Sequence, residues 1–304
     1  MEREFVSWLR NHLPAHPLLR LGLGDDAAVL RMADVDECVI TVDLLTDHVD
    51  FELSQVDPRR VGRKALAVNL SDLAAMASEP LACVIAVALP RIGAGELAVA
   101  LYEGMLPLAE RYNLAIAGGD TNTWDGPLVV SITLLGKTTD RGTLQRNGAK
   151  PGDRILVTGA FGGSIFGRHL DFEPRVAEAL ALHRQYDLHA GADVSDGLSV
   201  DLSHILEESG CGAVLNADAV PVAGDAQRLA RQLNDGSTPL DHALSDGEDF
   251  ELVLAVPPAE ARRMLAEQPL TVPLTDIGEF ATVPGLWIQD IQGRRPLTPR
   301  GWEH

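Results

Sequence analysis

The chain has 304 residues, 46% of them hydrophobic, and a formal net charge of −19. That length and apolar content support a sizeable core and suggest two domains. The surplus of acids disfavours nucleic-acid backbones and anionic membranes as partners, since both would be repelled, but leaves anionic substrates open where divalent cations stand between carboxylates and phosphates. The opening MEREFVSWLR shows no basic start followed by an apolar core, and LACVIAVALP at 81–90 is far too short to span a bilayer, so a cytoplasmic protein is expected. The three cysteines, Cys38, Cys83 and Cys211, are widely separated among apolar neighbours. They are expected in the core rather than in disulfides or a zinc site.

In chain order, GLGDDAAVL at 22–30 sets two aspartates side by side before an apolar run. They form either a solvated turn or a pair held apart by a cation. DECVITVDLL, 36–45, is apolar and β-branched and reads as a buried strand delivering Asp43 at its end. Residues 57–80 read as a helix, with Asp57 as cap, Pro58 in the first turn and Pro80 limiting the far end. Asn69 and Asp72 lie on one side of it. A strand at 82–89, a helix at 93–113, a strand at 114–121 ending in Gly118-Gly119-Asp120 and a strand at 128–138 follow. After NGAKPGD the pattern restarts with RILVTG, which places a boundary at 150 and gives domains 1–150 and 151–304. The second half shows helices near 174–190 and 197–208 and strands near 212–216, 250–256 and 286–289. Alternating strands and helices of these lengths predict an α/β (α+β) protein.

Several motifs compete for the chemistry. LLGKTTD, 134–140, is not a P-loop, because Ser131 stands where that motif needs its first glycine. TGAFGGSIFG, 158–167, reads either as a phosphate-cradling turn or as a tight packing turn. In GADVSDGLSVDL, Ser195 is expected as the cap of the next helix, with Asp193 and Asp196 at its positive end. ALSDGEDFELVLAV puts Glu248 and Asp249 between a glycine and a strand. Asp26, Asp43, Asp72, Asp120, Asp193 and Asp196 thus all fall at strand ends or helix starts, and hard oxygen ligands without clustered histidine or cysteine favour magnesium over zinc.

The ordered set GDDAAV, TVDLLTDHVDF, KALAVNLSDLAAMASEP, AGGDTN, RNGAKPGD, VSDGLSVDL and GEDFELV resembles the thiamine-monophosphate kinase family, of the aminoimidazole ribonucleotide synthetase superfamily. The likeness runs from about residue 20 to the closing PRGWEH. It implies a PurM-like pair of α/β domains. The first would bind ATP and magnesium and pair its sheet with a second copy in a homodimer. It also implies transfer of the γ-phosphoryl group of ATP to thiamine monophosphate, with several Mg2+ ions. The resemblance assigns metal ligation to Asp26, Thr41, Val42, Asp43, Asp72, Asp120, Asp193 and Asp196. Val42 replaces the family's usual hydroxyl residue and offers only its carbonyl. Asp43, Asp120 and Asp196 are the implied catalytic residues, and Gly118, Gly119, Asp120, Arg146 and Ser195 the implied ATP contacts. Glu248 and Trp302 are implied for thiamine, together with Asp50, which stands where the family carries a histidine before Phe51. The rival readings are another ATP-using enzyme of the superfamily and a non-catalytic metal- or nucleotide-binding module. A selenide-activating relative would want an N-terminal cysteine and a carbamoyl-dehydrating one a C-terminal cysteine, whereas this chain ends GWEH.

Overall fold

The computed structural model describes residues 8, 12–14, 16–21, 29–30 and 37–302. Its contacts divide the chain into two units, one running to Leu73 and including Ser78–Thr139, the other holding Ala74–Ala77 and everything from Asp140. Among the described residues no helix is long and apolar enough to cross a membrane.

In the first unit, β1 (Leu19–Leu21) and β2 (Val29–Leu30) form an antiparallel pair. The aspartate pair at 25 and 26 lies outside the described residues. A four-stranded sheet follows, built from β3 (Cys38–Thr46), β4 (Glu79–Pro90), β5 (Ala115–Trp124) and β6 (Val129–Lys137) in the order β3-β6-β4-β5. Only the β4–β5 pair is parallel. Alternation sends Leu81, Cys83, Ile85, Val87 and Leu89 of β4 and Val130, Ile132 and Leu134 of β6 into the core.

Two helices, α1 (Pro58–Ala75) and α2 (Ala94–Arg111), belong to this unit. Asp57 Oδ1 accepts from Arg59 N at 2.9 Å and so caps α1 as the sequence suggested. The helix stops at Ala75, short of Pro80, because Ala77 turns into the left-handed region at φ 49°. The two helices touch backbone to backbone, since a Cβ on Gly62 would overlap the Leu101 carbonyl and one on Gly104 that of Arg59. Leu73 of α1 packs against Gly136 of β6, which places this helix over the face of Ile132 and Leu134.

The opposite face of that sheet is open. Ile40, Val42 and Leu44 are 64%, 61% and 61% exposed, and Val84 on the same face is 41% exposed. The strand expected to be buried is therefore an edge strand covered on one side. Cys38 is exposed for the same reason, since it alternates with Ile40 onto the open face, whereas Cys83 and Cys211 are buried as expected. Both β3 and β5 run past the residues at which the sequence seemed to end them, so Asp43 and Asp120 sit within strands.

The second unit carries a seven-stranded sheet in the order β13-β12-β9-β11-β7-β10-β8. In chain order its elements begin with β7 (Arg154–Thr158), α3 (Arg168–Asp171), α4 (Val176–Gln185), β8 (Ala190–Asp193), α5 (Leu198–Ser209) and β9 (Gly212–Asn216). Then come α6 (Gly224–Leu233), α7 (Pro239–Ser245), β10 (Leu252–Val256), α8 (Pro258–Glu267), β11 (Leu274–Ala281), β12 (Gly285–Asp290) and β13 (Gly293–Pro296). Ile155, Val157, Leu202, Ile205, Ala213, Val253, Ile277 and Phe280 pack into one buried cluster that joins the sheet to α5. Each unit is thus an α/β layer structure, the fold class expected from the alternation of elements.

Candidate active site

In the first unit the period of β3 points Thr41 and Asp43 toward the helix-covered face. There α1 lays Asp72 against the strand, and Thr41 Oγ1 donates a short hydrogen bond to Asp72 Oδ2. Asn69, one turn earlier and fully buried, closes its own helix by donating to the Ala65 carbonyl at 3.1 Å. Thr41 and Asp72 are therefore joined, and Asp43 lies two residues along the same strand face, so this face offers oxygen donors only. Val42 points the other way and faces solvent.

Gly119 lies in register with Ile85, Ile132 and Asp43, and a Cβ there would overlap the Ile85 carbonyl, so only glycine fits. Asp120, next along β5, aligns with Ala86, Ser131 and Leu44 on the open face. Its Oδ1 accepts from Thr121 N at 2.9 Å. Asp43 and Asp120 thus lie on opposite faces of one sheet, and β5 shifts register against β4 between Ile116 and Gly118 before reaching Gly119 and Asp120. Asp50 closes the turn after β3. Its Oδ2 accepts from Thr46 N at 2.6 Å, and its carbonyl accepts from Lys64 Nζ, a nearly inaccessible amine, at 2.7 Å. Asp26 lies outside the described residues.

In the second unit Asp193 ends β8 and is 4% exposed. Ser195 and Asp196 form the turn into α5, but the helix is capped by Gly197 at φ 123°, not by Ser195, and no cap side chain serves its N–H groups. A residue within the first turn supplies the acceptor instead. Asp201 Oδ2 accepts from Asp196 N and from Gly197 N, each at 3.0 Å. Burial, and then the neighbouring Asp193 and Asp196, push the Asp201 carboxyl up to about 8 against the pull of those two N–H groups. Asp201 lies within VSDGLSVDL, but nothing in the sequence alone assigns it a role. Its signal was an aspartate inside the first turn of a helix that begins with glycine.

The GEDFEL segment splits its acids between roles. Gly247, Glu248 and Phe250 have φ of 73°, 52° and 51°, backbone that side chains other than glycine rarely adopt. It is pinned from both sides. Asp249 accepts from Gly162 N at 3.0 Å and from Arg168, while Glu251 accepts from Arg175 Nε and Nη2 at 2.8 and 2.6 Å and from Thr158 Oγ1 at 2.6 Å. Burial pushes the Asp249 carboxyl up to about 7, while Arg168 and the Gly162 N–H pull it down. Phe250 stacks on Phe172 with ring centres 3.9 Å apart. The glycine-rich turn is accordingly a packing turn, since the Gly162 and Gly163 N–H groups are taken by Asp249 and, at 2.7 Å, by Asp246.

Glu248 is left half-buried between these anchors, and its N–H donates to the Ser195 carbonyl at 2.6 Å. The C-terminal tail docks on the same turn. Arg300 N donates to Ser199 Oγ at 3.0 Å, and Trp302 N donates to the Asp196 carbonyl at 2.9 Å, leaving the indole half exposed. Ser195, Asp196, Glu248 and Trp302 are thus gathered on one turn. Arg146 stands apart from it in the same unit, exposed, its carbonyl accepting from Ser209 Oγ at 2.7 Å.

Known proteins share this sequence pattern and fold. Residues 24–138 match the AIR synthase related protein N-terminal domain, and residues 150–288 match its C-terminal domain. The chain is 41% identical over 312 residues to the thiamine-monophosphate kinase of Rhodopirellula baltica, covering 100% of this chain and 97% of that protein. The crystal structure of thiamine-monophosphate kinase from Stenotrophomonas maltophilia superposes with a TM-score of 0.79 at 31% identity, covering 94% of each chain. AaThiL complexed with AMPPCP and TMP superposes with a TM-score of 0.77 at 25% identity, covering 93% of this chain and 91% of that one. Two PurM-like α/β units, a matching family along both of them and full-length relatives at this identity establish that the chain belongs to the thiamine-monophosphate kinase family.

Proposed function

We propose that this chain transfers the γ-phosphoryl group of ATP to thiamine monophosphate, giving thiamine diphosphate and ADP, with magnesium. The observation that carries the reading is the oxygen-only character of the candidate donors on each unit: Thr41, Asp43 and Asp72 on the helix-covered face of the first sheet, Asp120 on the other face at the edge strand, and Asp193 with Asp196 in the second unit. Neither histidine nor cysteine belongs to either set, so hard cations fit and zinc does not. Asp26 and the Val42 carbonyl complete the metal ligands we assign. Bound magnesium would neutralise phosphate charge and orient the transferred group.

The protein's own groups then have limited tasks. A phosphate monoester carries about −1.5 to −2 charges near neutral pH, so the acceptor oxygen is already ionised and needs no general base. Gly118, Gly119, Arg146 and Ser195 hold the nucleotide, and positioning of donor and acceptor supplies the catalysis. Glu248 and Asp50 complement the positive charge of the thiazolium ring, which Trp302 receives on its face. Support for this substrate pair comes from AaThiL, which was captured with AMPPCP and TMP.

The working form we assign is a homodimer, built through the open face of the first sheet. Ile40, Val42, Leu44 and Val84 make that face apolar and exposed in the single chain, a surface that asks for a partner. Replacing Asp43 or Asp120 by Asn tests the catalytic assignment. Each variant should fold normally and lose nearly all thiamine diphosphate formation, because each removes charge that holds a cation against polyanions. Near-normal rates of both at saturating magnesium would overturn it.

A further inference from the structure

The turn 195–197 presents its two faces to different partners. Its carbonyls point outward, Ser195 O to Glu248 N and Asp196 O to Trp302 N. Its N–H groups point inward, where Asp196 N and Gly197 N converge on one oxygen of Asp201. The peptide planes are therefore fixed by what stands behind them.

Asp201 is an unusual choice for that place. It is 1% exposed, it neighbours two other carboxylates, and a buried charge in such company is disfavoured unless hydrogen bonds compensate it. Packing alone would be served by an apolar residue, as at Leu198, Leu202 and Ile205 on the same helix. What an aspartate adds is an acceptor that reaches back from the fourth helical residue to two consecutive N–H groups. Gly197 makes this possible, because its φ of 123° and ψ of 142° admit no side chain. The second oxygen lies 3.9 Å from His204 Nδ1 one turn along α5, beyond hydrogen-bond reach.

We propose that Asp201 is a positioning residue that clamps the 195–197 turn from behind, and so sets the carboxylate of Asp196, the hydroxyl of Ser195 and the docking carbonyls for Glu248 and Trp302. It does not itself touch substrate. The proposal rests on the reading above that Ser195 and Asp196 serve nucleotide and metal.

The test compares Asp201→Ala and Asp201→Asn with Asp153→Ala. Asp153 is a control of equal burial in the same unit, 3% exposed and accepting from Lys150 N and His189, with no contact to the turn. Calorimetry with AMPPCP at fixed magnesium gives the nucleotide affinity, and the magnesium concentration for half-maximal turnover gives the metal requirement. Asp201→Ala should weaken AMPPCP binding and raise the magnesium requirement about 10- to 100-fold, the usual cost of losing a group that orients a metal ligand. Asp201→Asn keeps a carbonyl acceptor for the two N–H groups and should recover much of both. Asp153→Ala, matched for thermal shift, should move neither.

Wild-type values for Asp201→Ala, or equal losses in Asp153→Ala, would overturn the proposal. If Asp201→Ala does not fold, Asp201→Glu replaces it, since it keeps the carboxyl group and misplaces the oxygen. Its losses should exceed those of Asp201→Asn, and the reverse order would refute the clamp. Failure to phosphorylate thiamine monophosphate would count against the function alone, because calorimetry reads the clamp without turnover.

Discussion

Arg168→Met isolates the anchor beneath Glu248. The Arg168 guanidinium donates to the Asp249 carboxylate, to the Ala160 carbonyl at 2.6 Å and to the Gly162 carbonyl at 3.0 Å. Its side chain is 27% exposed, that of Asp249 not at all. Removing the cation strands a buried carboxylate, which costs about 3–5 kcal/mol. Removing both charges should cost less than the single change, so Arg168→Met/Asp249→Asn should recover about 0.5–3 kcal/mol relative to Arg168→Met. Urea unfolding followed by tryptophan fluorescence reads both values, with half-buried Trp287 reporting on the second unit.

The pH dependence has a definite sign. Asp249 has a folded value of about 7, well above an unfolded carboxyl, so the folded state binds more protons in between and stability falls as pH rises through that window. Without Arg168 the folded value rises further, so the deficit of Arg168→Met should grow as the pH passes 7. A cost under about 1 kcal/mol, unchanged with pH, would mean that the guanidinium does not hold Asp249 as an ion.

Trp302→Ala should raise the Michaelis constant for thiamine monophosphate roughly 3- to 30-fold, the equivalent of about 0.5–2 kcal/mol of cation–π attraction, and leave that for ATP almost unchanged; a joint rise, or none, would withdraw Trp302 from the substrate site. Leu44→Asp puts a charge on the open sheet face and should convert a dimer into a 32.6 kDa monomer by light scattering, whereas a monomeric parent would refute that interface. His48 lies 3.0 Å from Glu52, whose hydrogen bond, with the nearby Asp47 charge, raises its pKa above 6.5. The pair's contribution is present at low pH and lost as pH rises through the folded value, so Glu52→Gln should lower the midpoint of the His48 ring signals in NMR. An unchanged midpoint would contradict the pairing.

The sequence exposed the elements better than their surroundings. The apolar alternation of β3 and β6 and the cap at Asp57 are local, and the strands and the cap form there, although β3 runs on past Asp43. The open face of β3 was illegible, because Ile40, Val42 and Leu44 read the same whether a helix or another surface covers them. Strand β8 is AGAD, with no β-branched or aromatic residue, and β11 interrupts its apolar run with Asp276, Gly278 and Glu279, so neither announces itself. The acids of GEDFEL looked equivalent in sequence. Their division depends on Arg168 and Arg175, 81 and 76 residues earlier, which no local pattern ties to them. Asp201 was hidden differently, since an aspartate near a helix start ordinarily serves the helix dipole and only the backbone of the preceding turn shows what it holds.

The most direct measurement incubates the purified chain with ATP, magnesium and thiamine monophosphate and separates the products by chromatography. Thiamine diphosphate and ADP should appear together in equal amounts, depend on magnesium and leave no labelled phosphate on the protein. ADP and free phosphate with thiamine monophosphate unconsumed, or label retained on the protein during turnover, would contradict direct transfer between the two substrates.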